Sequence, residues 1–133
     1  MAWTQTSLKE LIEQQPNWVV EDEGNCISIS NDEGVDAFVY AGETQIIVEA
    51  ILFPAKNVGN KAGLNDLVLR THQLVPLTTI GITTIDREDY YVAFGALSAD
   101  SKDSVVIEEI ETLFTNVDEF LELYSDHLLK ETA

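Results

Sequence analysis

Cys26 is the only cysteine of the 133 residues, and with His72 or His127 as its base it would make a thiol nucleophile, an arrangement that needs proximity in space rather than in sequence. Its surroundings oppose that chemistry. Cys26 alternates with Ser28 and Ser30 between the acids Glu21 to Glu23 and Asp32 to Glu33, whose charge raises a thiol pKa and keeps it protonated. His72 lies between Val68 and Val75 at helical spacing, and neither histidine has a second one three or four residues away, as a zinc site on a helix would require. A small metal-dependent or thiol enzyme or sensor using Cys26 and His72 is therefore the alternative reading of this chain.

Glu21 to Gly34, EDEGNCISISNDEG, invites a calcium reading. An EF-hand loop needs an oxygen ligand at its first position and glycine at its sixth. With Gly34 sixth the first position is Ile29, and with Gly24 sixth it is Val19, so neither register works. Acids and glycines of this kind suit exposed turns that bound a strand, with glycine supplying a positive φ. Gly59, Gly63 and Gly81 fit no phosphate-binding loop. Glu108, Glu109, Glu111, Asp118, Glu119 and Glu122 read as solvated helix faces. The expectation is no enzyme and no cofactor.

The formal net charge of −17 argues against nucleic acid, whose phosphates need a basic footprint, and against an anionic membrane surface. No apolar run is long enough for direct membrane insertion. A single cysteine and an opening Met-Ala-Trp followed by polar residues point to a reducing cytoplasm. The charge is unevenly placed. From Ala50 to Ile85 three basic residues, Lys56, Lys61 and Arg70, stand against Asp66 alone, about +2, while the remainder carries about −19.

The length fits one domain over residues 1–133. Ser7 with Glu10 reads as a capping box before Leu8, Leu11 and Ile12, and Pro16 stops that helix. Trp18 to Val20 reads as a brief strand, and Cys26 to Ser30 and Val35 to Tyr40 follow as strands. Gln45 to Phe53 is apolar on both faces, which predicts a central strand covered twice. Leu64, Leu67, Val68, Thr71 and Val75 recur at helical spacing up to Pro76. Thr78 to Ile85 and Tyr90 to Leu97 form a hairpin across Asp86 to Asp89. Val106 to Leu128 carries an apolar stripe through an acidic helix, which over residues 104–130 would be roughly 40 Å long. Asn116 with Glu119 allows a break there, and the other possibility is an overhang packed on a second subunit.

The fold class is α+β, an antiparallel β-sheet flanked by helices in the order α-β-β-β-α-β-β-α. This order resembles the type III secretion chaperone fold, through Ser7 to Gln14, EDEGNCISI, DAFVY with IIVEAILF, GLNDLVLRTHQLV, GITTIDREDYYVAFG and the closing helix. The opening MAWTQTSLKELI and the run LVPLTTIGI are similar to the YjfI-like bacterial family, a domain of unknown function. The chaperone resemblance implies a homodimer through the middle helix and a protein partner bound by apolar contact. On this chain the interface would be Leu64, Leu67, Val68, Arg70, Thr71 and Val75, within the one segment free of excess acid. The same leucines and valines could instead cover their own sheet. The YjfI-like resemblance implies a phage-shock-protein-A-like membrane-stress protein as partner, and so a chaperone-like or adaptor role in a stress response. An acidic mimic of nucleic acid is a third possibility.

Overall fold

The computed structural model describes residues 2–75 and 77–129. Its elements are α1 (Gln5–Glu13), β1 (Val19–Asp22), β2 (Ile27–Ser30), β3 (Asp36–Ala41), β4 (Gln45–Pro54), α2 (Lys61–Thr71), β5 (Thr79–Ile85), β6 (Glu88–Ser98) and α3 (Asp103–Tyr124). Single 3-10 turns at Ala55–Asn57, His72–Leu74 and Ser125–His127 follow β4, α2 and α3. The six strands form one antiparallel sheet in the order β1-β2-β3-β4-β6-β5. The brief strand expected at Trp18 to Val20 is the edge strand β1, so four strands precede α2 where the predicted order counts three.

The turns follow from local chemistry. Gly24 and Gly34 both have positive φ, at 89° and 82°. Asp22 Oδ1 accepts from the Gly24 amide, and Asn31 Oδ1 accepts from the amides of Glu33 and Val35. Between β5 and β6, Asp86 and Arg87 both take left-handed φ, the paired requirement of a tight two-residue hairpin turn. Helix α1 begins one turn earlier than expected. Thr4, not Ser7, is the N-cap, and Ser7 returns the bond from the third helical position. Pro76, the expected stop of the middle helix, lies outside the described residues, and α2 ends at Thr71.

Leu8 and Ile12 of α1, Leu64 and Val68 of α2, and Val106, Ile110, Leu113, Val117, Phe120 and Tyr124 of α3 all enter one core. They meet Ile27, Ile29, Val39, Ile46, Val48 and Ala50, which share one face of the sheet by strand alternation. Each fully buried leucine or isoleucine contributes about 1.5–3 kcal/mol by leaving water. The close approach of α3 is made possible by Gly95, because the Glu109 carboxylate occupies the space that a β-carbon there would need.

Two expectations are corrected here. Helix α3 runs unbroken through Asn116, because the Asn116 side chain turns inward and donates to the Thr78 hydroxyl at 2.7 Å instead of capping a new helix. It spans 22 residues, roughly 33 Å, before tightening to 3-10 at Ser125. Strand β4 is central, but its second face has no helix of the core upon it: Ile46, Val48 and Ala50 are fully buried, whereas Ile51 is 42% exposed and Ile47 and Glu49 are half-buried. Apolarity on both faces is real, and the core covers only one of them.

Candidate functional site

Cys26 and His72 do not meet. Cys26 precedes β2, and His72 stands beside β5, where its Nε2 accepts from the Ile80 amide at 3.1 Å. In the sheet order β3, β4 and β6 lie between those strands, a separation of roughly 19 Å at the usual strand spacing. Cys26 is buried, and burial first, with Glu23 and Asp22 adding to it, pushes its thiol up, against a lowering hydrogen bond with Tyr40. Such a thiol is a poor nucleophile. His127 sits in the 3-10 turn after α3, where its carbonyl accepts from the Gly59 amide.

A cavity of about 590 Å³ opens between Trp18, Phe114 and the acids Asp32, Glu33, Asp118 and Glu119. A hydrogen bond with Asp118, then that group's charge, pushes the Glu33 carboxyl up, as expected where two carboxyls share a proton. Among the described residues, no three His, Cys, Asp or Glu side chains are grouped to hold a metal ion.

The middle helix divides its residues between two tasks. Leu64, Val68 and Val75 are buried in the core, and Leu67 packs partly against it, so this stripe covers the chain's own fold. Thr71 is half-buried, with its hydroxyl donating to the Leu67 carbonyl, and Arg70 is exposed and paired with Asp66 at 2.8 Å. What the segment turns outward is a different set. Leu69 is 81% exposed, Leu74 74% and Leu77 58%. Leu77 holds a left-handed φ of 71°, uncommon for a residue with a branched side chain. Leu69 falls off the 64-67-68-71-75 phase, a mismatch visible in the sequence, whereas Leu74 and Leu77 lie past the end of α2 at Thr71 and carry no such signal.

The second sheet face is the other open apolar surface. Strand alternation and register place Phe38 and Tyr40 of β3, Ile47 and Ile51 of β4, and Val92 and Phe94 of β6 on it. Glu49 lies in their midst, directly opposite Phe38 on one side and Phe94 on the other. Burial pushes its carboxyl up. A monomeric soluble protein rarely leaves so many large apolar side chains contiguous without a use for them.

Residues 2–128 match the sequence profile of a family described as an uncharacterized protein conserved in bacteria, DUF2170. The chain is 28% identical to the uncharacterized protein YjfI of Escherichia coli (strain K12) over 131 residues, 96% of this chain and 98% of that one. Among solved structures, YbjN from E. coli, a candidate transcription regulator, superposes with a TM-score of 0.75 at 14% identity, covering 98% of each chain. A chain of the HopA1–SchA chaperone–effector complex gives 0.60 at 15% identity, covering 88% of this chain and 91% of that one. These likenesses establish the α+β fold with its antiparallel sheet, and the chaperone-like architecture that the residue pattern implied.

Proposed function

The chain belongs to this bacterial family, DUF2170, and we propose that it is a non-enzymatic protein-binding module, chaperone-like or an adaptor, working in the cytoplasm. The observation that carries the reading is the outward set Leu69, Leu74 and Leu77 in the one segment without surplus acid. Elsewhere the surface is strongly anionic and suits solubility more than apolar contact. Where charge is near balance, two chains approach without the repulsion that two acidic surfaces would meet. The middle segment is thus the contact for a homodimer, with Leu67, Arg70 and Thr71 at its margin and Leu64, Val68 and Val75 supporting it from beneath. The superposition on a chaperone–effector complex supports a protein as the bound partner. A membrane-stress protein of the phage-shock-protein-A kind is the partner that the YjfI-like resemblance implies.

Among the described residues no helix is long and apolar enough to cross a membrane. The test is purification of the tagged chain from its own host at native expression, with a high-salt wash and mass spectrometry. One dominant salt-resistant protein supports the reading, because apolar contact survives screening. Recovery of the chain alone, as a folded monomer, refutes it.

A further inference from the structure

The open sheet face differs in chemistry from the leucines of the middle segment. Phe38, Ile47 and Phe94 are half-buried there, and Val92, paired with Ile51 and Gly81, is buried while standing apart from the core. At one end the face opens into a notch. β3 stops pairing at Phe38 with Glu49, whereas β4 continues alongside β6 as far as Pro54 with Tyr90. The space left, at the end of β3 where the sheet meets α3, is a cavity of about 320 Å³ between Val35, Asp36, Phe38 and Ile51 on one side and Val117 and Leu121 of α3 on the other. It is large enough for an apolar side chain, and Asp36 is the one acid among the described residues of its wall.

Charge narrows the occupant. None of the six strands carries a lysine, arginine or histidine. Glu49 therefore has no cation of its own sheet to face, and covering it would remove its remaining water without compensation. A second copy cannot supply the missing charge. Two identical faces would bring Glu49 toward Glu49 in a seam between chains of net charge −17. An anionic lipid surface fails for the same reason.

We propose that this face binds an amphipathic, basic segment of a partner protein, with apolar side chains laid over Phe38, Ile47 and Phe94, one of them in the notch, and a lysine or arginine against Glu49. This assigns a surface distinct from the middle helix and goes beyond the general protein-binding reading. Apolar contact supplies affinity, and the Glu49 carboxylate selects the sign of charge and the register. A segment lacking the base leaves Glu49 desolvated and unpaired, so it is rejected rather than merely unfavoured.

The experiment is selection of a displayed library of random peptides on the full chain, with each winner then tested for binding to the Phe94→Ser variant. The expected winners are apolar and carry a lysine or arginine. Glu49→Gln, a near-isosteric change at a half-buried position, should weaken them about tenfold, the size of one close charge pair. Replacing the peptide's base by norleucine should cost the same, and combining both changes should cost little more. Binders indifferent to Phe94→Ser and Glu49→Gln, binders without a basic residue, or no binders at all overturn the proposal. So does sedimentation showing a dimer that Glu49→Lys dissociates, since a second copy would then own the face. The outward leucines are intact in every variant, so a dimer held by the middle segment persists whether or not peptides bind this face.

Discussion

Glu49 on β4 stands directly opposite Phe94 on β6, a carboxylate facing an aromatic ring on the side of the sheet that the core helices do not cover. Burial of a glutamate among apolar side chains disfavours its charged form, a cost that a basic partner would offset.

The cost of Glu49 is measurable through pH. Burial raises its folded-state pKa, so the folded chain holds that proton more tightly than the unfolded chain does. Stability associated with this group is full below the ordinary glutamate pKa and is lost as pH rises through the raised value. The titratable neighbour that feels its charge is the Tyr40 phenol, which is neutral throughout that window. Glu49→Gln should therefore unfold at a higher temperature than the wild type at pH 7, and the gain should vanish near pH 3. Equal melting at both pH values would mean that the carboxylate is fully hydrated.

Asn116 and Thr78 are both buried and bonded to each other, linking α3 to the residue before β5. Asn116→Ala leaves the Thr78 hydroxyl short of a partner and should cost about 1–3 kcal/mol in urea unfolding. A loss below about half a kcal/mol would show that water replaces the asparagine without penalty.

Leu64 and Leu69 lie on the same helix and should behave oppositely. Leu64→Ala opens a cavity in the core and should cost about 2–5 kcal/mol. Leu69→Ser, at an exposed position, should change stability by less than about 0.5 kcal/mol while weakening the dimer in sedimentation velocity. Unchanged assembly in Leu69→Ser together with Leu74→Ser would remove the middle segment as an interface.

Tyr124 is fully buried, and burial, partly offset by the Thr71 hydroxyl, pushes its phenol up to about 12. Its raised pKa means that stability is intact below pH 10 and falls as pH rises from 10 toward 12, because the unfolded chain loses the proton first. Tyr124→Phe should flatten that fall when the two chains are compared by thermal melting across this range. A parallel decline in both would assign the alkaline loss to other groups.

The glycine turns were legible because glycine tolerates positive φ, and the hairpin because polar Asp86 to Asp89 separates two alternating runs, although the turn itself is only Asp86-Arg87 and β6 already begins at Glu88. Thr4 was missed as a cap because Ser7 and Glu10 offer a competing box, and only the folded geometry chooses between them. Asn116 looked like a helix start because its side chain suits a cap, and Thr78, distant in sequence, decides otherwise. Apolarity on both faces of β4 was plain, but a sequence records that a face is apolar and not what covers it. The same limit applied to the middle helix. Its regular stripe drew attention to Leu64, Val68 and Val75, which the core absorbs, and away from Leu69, which is out of phase, and from Leu74 and Leu77, which follow the end of the helix at Thr71.

The most direct measurement is site-specific photo-crosslinking in the native host. A photoreactive residue would replace Leu69, Ile47 or, as the control, Glu119 on the exposed acidic side of α3. Binding through apolar surfaces predicts discrete protein adducts from Leu69 and Ile47 and none from Glu119. Adducts from Glu119 alone, or from none of the three in cells where the chain is folded, would contradict it.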